Sequence, residues 1–200
     1  MNLIGTLAMA MGSSWVSGLR LYAAVATLGL LGRFAHLQLP GELEVLTNWW
    51  VIGIALALLV IEFFADKIPY LDSTWDVIHT FIRIPAGAVL AASAFGDFDR
   101  SIQVIALLLG GGLALSSHGT KAATRVVLNA SPEPVSNIVA SVIEDILAVV
   151  SVVCSVLFPA LLFVIVGVGL VISFLVFKRV IKFFRQVAGS IRGWFAPATS

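Results

Sequence analysis

The stretch Gly12-Ser13-Ser14-Trp15-Val16-Ser17-Gly18-Leu19-Arg20-Leu21-Tyr22-Ala23 decides how this chain is read. It sits inside an apolar run from Leu3 to Gly32 in which Arg20 is the only charge. Thirty helical residues would reach about 45 Å, against a hydrocarbon core of about 30 Å. One straight crossing does not fit. A helix broken at the Ser/Gly step does, and a break at bilayer depth is tolerated only where the freed backbone lines a protein-enclosed cavity. The stretch therefore marks a candidate binding or permeation site. It has an echo further along, Leu115-Ser116-Ser117-His118-Gly119-Thr120-Lys121-Ala122-Ala123-Thr124-Arg125. Both pass from an apolar segment through a Ser/Gly step to a Gly-x-cation triplet, then resume an apolar pattern, so a second break is expected at Ser116–Gly119.

Composition places the chain in the bilayer. Of its 200 residues 60% are hydrophobic and only 12% charged, where a soluble protein carries about 25% charged residues; the mean hydropathy is +1.05. That leaves room for about six spans and almost no extramembrane mass. Cys154 is the only cysteine, so neither a disulfide framework nor a thiolate metal site is expected. The Met1-Asn2-Leu3-Ile4-Gly5 start lacks the basic region of a secretory signal and is read as mature sequence. The net charge of +1 hides an asymmetry: Lys178, Arg179, Lys182, Arg185 and Arg192 crowd the end, and no acid follows Asp145.

The expected fold is an all-α integral membrane protein of about six transmembrane helices. Trp49-Trp50 suits an interface and opens a second span; Tyr70 and Trp75 are further interface candidates. Residues 77–95 give a third span, Pro159 divides the uncharged run 146–177 into two, and Asn129–Pro134 reads as a loop. Each half carries a broken segment, a Val-Ile-Glu step (Val60-Ile61-Glu62, Val142-Ile143-Glu144) and a Pro-bearing span. That order predicts one transmembrane domain, residues 1–177, built as two weak inverted repeats over about 1–96 and 101–177, each with a broken first helix. Residues 178–200 form a basic amphipathic tail, read either as a lipid-binding surface helix or as a plain stop-transfer end. The basic tail belongs in the cytoplasm, and six crossings would bring the N-terminus there too.

Ionisable residues inside apolar helices are expensive, about 2.5–3.5 kcal/mol each at the helix centre on insertion scales. Arg20, Glu62, Lys121, Glu144 and Asp145 all qualify. Glu62 and Glu144 are candidate proton or cation sites, with Arg20 and Lys121 as countercharges or anion ligands; snorkelling cations and purely structural ion pairs are the competing readings. Asp66 joins the candidate set, as do Ser14, Ser117 and His118 at the two steps. The acids Glu62, Asp66, Asp72 and Asp76 would suit a hard cation, though Asp72 and Asp76 read better as a solvated loop. The identity of any metal is left open. Gly110-Gly111-Gly112 without a following Lys-Ser/Thr reads as close helix packing rather than a phosphate loop. No Ser-His-Asp order, zinc signature or nucleotide fingerprint is present, so neither an enzyme nor a cofactor is expected.

The stretches Ser17-Gly-Leu-Arg20-Leu-Tyr-Ala, Glu62-Phe-Phe-Ala-Asp-Lys67-Ile-Pro, Asp72-Ser-x-Trp-Asp76 and Ser-Ser-His-Gly-Thr-Lys121-Ala resemble a bacterial membrane-protein family known as domain of unknown function 4126. The resemblance covers most of residues 10–175 and implies a multi-pass protein of the bacterial cytoplasmic (inner) membrane, without implying an activity. Three functions remain open on the residues: an ion- or proton-coupled secondary transporter of a small ion or anionic solute, a protein binding or moving a phosphorylated lipid head group, and a non-transporting assembly partner. The expected partners are membrane lipid, that small ion or solute and possibly further copies of the chain, with no nucleic acid.

Overall fold

A computed structural model describes residues 2–68, 71–129 and 135–194. Tyr70, the loop residues 130–134 and residues 195–200 lie outside the described residues, as do the side chains of Val187, Ile191, Arg192 and Trp194 in the tail. The described chain is all helical: α1 (Leu3–Phe34), a 3-10 turn (Gly41–Thr47), α2 (Trp49–Ala65), α3 (Leu71–Ala94), α4 (Arg100–Asn129), α5 (Val135–Leu157) and α6 (Pro159–Trp194). By length and composition five helices among the described residues can cross a membrane, and a sixth if the 3-10 turn and α2 are joined across their 72° bend.

The sequence start signals are local and ordinary. Asn2 caps α1 by accepting from Gly5 N at 2.9 Å, and Asn48 caps α2 by accepting from Trp50 N at 2.8 Å; Asn at this position satisfies an otherwise free backbone donor. At the far end of α1 the chain reverses through His36, whose φ of 52° is left-handed. Gly41, also left-handed at 56°, lies so close to the backbone of Ser93 and Gly96 that no side chain fits there.

α1 is broken, but at Arg20 rather than across Ser13–Gly18: Arg20 takes φ −149° and ψ 78° inside an otherwise helical run. The contacts show what the break does. Ser14 bonds Gly87 O and Ser17 bonds Arg83 O, so residues 3–19 run antiparallel to α3. Lys121 Nζ then joins the Arg20 tip to Asp76, low on α3, through Asp66 and Leu19 O. Were α1 straight, Gly29 would lie about 13 Å further in the same direction. Instead Gly29 packs on Leu46 and Ile52, and Gly41 packs on Ser93 and Ala94, the end of α3 about 27 Å above Asp76. The second half of α1 has therefore turned back. α1 is a re-entrant hairpin that enters and leaves on one face with Arg20 at its tip.

Two expectations need correction. The halves do not share a broken first helix, because α4 runs unbroken through Ser116–Gly119. The two chain ends also do not share a face: α1 begins at the face where α3 ends, while α6 follows α4 down to the opposite one, with Leu162 near Gly12 and Phe177 against Gly119. α1 sits inside the other helices, and Ala8, Val16, Ala24 and Leu28 are fully buried in the same core cluster as Leu162, Val152 and Val166. A continuous apolar run without amphipathic periodicity is what a helix surrounded on all sides requires.

Candidate functional site

Around the tip of α1 the apolar interior gives way to a cross-linked set of charges drawn from α1 to α5. Arg20 is fully buried and meets Asp66 at 2.6 Å, Asp145 at 3.1 Å and Glu144 at 3.8 Å. Its guanidinium also donates to the Ser141 hydroxyl at 2.9 Å and the Ser141 carbonyl at 3.2 Å. Lys121 lies 2.8 Å from Asp66, 3.2 Å from Asp76 and 3.7 Å from Glu144. Arg83 is clamped between Glu62 and Asp76, the latter at 2.7 Å. Arg125 holds Glu144 at 2.7 Å and donates to the side chain and carbonyl of Asn137. Asn137 in turn donates to Asp66 O at 3.3 Å. Arg20, Arg83 and Lys121 each bridge acceptors from different helices, and Arg125 fastens α4 to α5 through Asn137 and Glu144, so the network ties the bundle together at one depth.

Access is from one side. Asp145 and Lys67 lie 3.9 Å apart and keep side-chain exposures of 22% and 19%, and Glu144 keeps 13%, whereas Arg20, Glu62, Asp66, Arg83 and Lys121 have none. The network is therefore sealed by the α1 hairpin on one side and thinly covered at the Lys67–Asp145 edge.

The break in α1 leaves last-turn carbonyls to satisfy, and the echo motif on α4 supplies the donors. Ser117 Oγ donates to Trp15 O at 2.7 Å, His118 Nδ1 lies 3.2 Å from Gly18 O, and Lys121 Nζ donates to Leu19 O at 3.3 Å. These α4 residues stand one and then three positions apart, on a single helix face. A methyl on Gly18 would strike Ser117 Oγ and Ala114 O, so glycine is what lets the two motifs touch.

Of the residues expected from sequence, Arg20, Asp66, Lys121, Glu144 and Asp145 converge directly, and Glu62 joins through Arg83. Ser117 and His118 serve the α1 break. Ser14 does not reach the network; its hydroxyl lies between Ala10 O and Gly87 O, 2.7 and 2.8 Å away, in a helix contact. Asp72 and Asp76, expected in a solvated loop, are both buried. A hard-cation site is not formed: among the described residues no three metal-ligating side chains come together, and Glu62, Asp66 and Asp76 each have a cation as close partner. Arg83, Arg125, Asn137 and Ser141 were missed. Their signal was spacing, since Asp76/Arg83, Lys121/Arg125 and Asn137/Ser141/Glu144 each fall on one helix face at intervals of three, four or seven.

Fold and interior together define a polytopic α-helical membrane protein built around a re-entrant helix and a buried charge network. The chain belongs to the family described as domain of unknown function 4126, whose profile matches residues 7–179. Neither a curated protein nor a solved structure matches it.

Proposed function

We propose that the protein is a proton-coupled secondary transporter of a small ion or anionic solute, with the network at the Arg20 tip as its coupling site. The observation that carries this reading is the re-entrant hairpin ending in Arg20 among Asp66, Glu144 and Asp145. Non-helical backbone at membrane depth, beside ionisable groups from neighbouring helices, is how many secondary transporters build their sites. Four buried carboxylate oxygens, Glu62 Oε2, Asp66 Oδ1, Asp76 Oδ2 and Asp145 Oδ2, accept no hydrogen bond from the described residues. Carboxylates held by cations yet incompletely bonded sit between two pressures: burial favours the protonated form and the cations favour the ionised one. A solute entering past the Lys67–Asp145 edge would change that balance, which couples its binding to proton movement. The basic tail and Lys67 share a face, and the bias of cationic loops toward the cytoplasm makes that face the inner one.

The test uses purified protein in liposomes loaded with a fluorescent pH indicator. Vesicles under a pH gradient are challenged in turn with sodium, potassium, inorganic phosphate and lactate. At least one should move protons faster than in protein-free vesicles, and Asp66→Asn should abolish that excess. If none of the four does so, the transport reading fails and the network is a structural brace.

A further inference from the structure

His118 is a charge-capable group that the carboxylate network does not use, and its hydrogen bonds are unusually constrained. Gly18 O, 3.2 Å from Nδ1, can only accept, so Nδ1 carries a hydrogen. Arg83 also approaches Nδ1, at 3.5 Å, but Arg83 is donor-only and already bonds Asp76 at 2.7 Å; the Gly18 bond takes precedence. The other nitrogen, Nε2, faces Thr80 Oγ1 at 2.7 Å. That hydroxyl has a single hydrogen and two possible acceptors, His118 Nε2 and Asp76 O at 2.9 Å.

Two complete bonding patterns follow from these positions. With a neutral ring, Thr80 donates to Nε2 and leaves Asp76 O. With a protonated ring, Nε2–H donates to Thr80 Oγ1, and the Thr80 hydrogen swings to Asp76 O. The two patterns differ by one proton and one hydroxyl rotation, with every heavy atom in place. We propose that His118 is a proton-binding site of this protein, with Thr80 as the rotating partner that accommodates both charge states. The rest of its surroundings are mixed in charge. α3 presents Asp76 and Arg83, α4 presents Lys121, and Glu62 and Asp66 of the α2 end stand behind those cations; α1 offers Gly18 O with Arg20 beyond it, while α6 brings Phe177 and Ser173 beside the neighbouring residues, without a charge. Because Nδ1 caps the broken half of α1, a proton taken up at this ring is felt at the hairpin and, through Arg83, at Glu62 and Asp76.

The idea gains its physiological meaning from the transport reading, but the titration is measured without transport. Protein labelled with 15N-histidine in nanodiscs is followed by NMR across pH, and His118→Gln assigns the signal. The expected neutral form is the Nδ1–H tautomer, converting to the cation on acidification while the fold persists. Thr80→Val removes the acceptor for Nε2–H, a bond about twice as strong in the charged state as in the neutral one. At the pH where half of the wild-type ring is charged, that variant should show about a fivefold lower cation-to-neutral ratio. Thr80→Ser should restore the wild-type ratio. A neutral Nε2–H tautomer, a ring that stays neutral until the protein unfolds, or identical titration in Thr80→Val would each overturn the assignment.

Discussion

The motifs at Ser13–Arg20 and Ser116–Lys121 use nearly the same residues, yet one marks a helix that breaks and the other a helix that does not. In the first, the chain leaves helical geometry at Arg20, whose extended φ stores no left-handed strain. In the second, Thr120 and Thr124 return their hydroxyls to the carbonyls of Ser116 and Thr120, both at 2.8 Å, and α4 continues. The glycines differ as well. Gly18 admits α4 to within touching distance of the α1 backbone, while Gly119 faces the ring of Phe177 on α6. The second motif is thus the cap of the first rather than its copy. Serine, glycine and a cation can free backbone groups or satisfy freed ones, and only the neighbour across the interface decides which.

The largest expected effect comes from removing the charge that the break delivers. Arg20→Gln leaves the buried Asp66 and the partly exposed Asp145 with one cation fewer, and breaking a buried pair such as Arg20–Asp66 costs about 3–5 kcal/mol. The melting temperature in detergent should fall sharply. Adding Asp66→Asn and Asp145→Asn should recover a large part of the loss, since the uncompensated charge is then gone. No recovery would mean that Arg20 acts through backbone geometry rather than charge.

Much of this was legible in the sequence. The apolar length of residues 3–32, the single cation within it and the Ser/Gly step pointed to a broken helix near a polar site, and the intramembrane charges named most of the network. Two things were not. The exit direction of α1 after Arg20 depends on Gly29 meeting Leu46, a contact between segments whose sequences carry no shared pattern. The burial of Asp76 depends on Lys121 reaching it from α4, beside Arg83 of its own helix, whereas composition alone makes Asp72–Asp76 look solvated.

Next in size is a pair of substitutions that separates the two glycines. A methyl on Gly18 meets Ser117 Oγ and backbone Ala114 O, and backbone cannot move aside cheaply; overpacking of this kind costs about 1–3 kcal/mol. A methyl on Gly119 meets the Phe177 ring at 2.6 Å, which can rotate, and alanine recovers up to about 1 kcal/mol of helix propensity. Gly18→Ala should melt well below wild type and Gly119→Ala close to it. Equal losses would restore the symmetry between the motifs and remove the cap interpretation.

A smaller change tests the cap itself. Ser117→Ala deletes the hydroxyl that donates to Trp15 O and leaves that carbonyl with one partner fewer, for about 0.5–1.5 kcal/mol. The control is Ser116→Ala, since no α1 carbonyl accepts from Ser116 among the described hydrogen bonds. Hydrogen exchange on the amides of residues 16–24 should speed up in the first variant and not in the second.

The smallest effect lies at the other end of α4, where a cap needs no partner helix. Asp99 accepts from Ser101 N at 2.8 Å on the exposed first turn, and that bond holds its carboxyl below the ordinary carboxylate range. A carboxyl with a depressed folded-state pKa stabilises above its unfolded value, about 3.9, and that contribution is lost as pH falls through the folded value. The wild-type melting temperature should therefore carry a shallow acid slope from this site, which salt weakens only slightly because the bond is to a backbone amide. Asp99→Asn keeps an acceptor oxygen without a titrating proton, so melting near neutral pH should barely change while that part of the acid slope disappears. An unchanged slope would show that the start of α4 is held by its packing on α3, as the start of the second half of α1 is held by the network, and the contrast between a local cap and a tertiary one would fall.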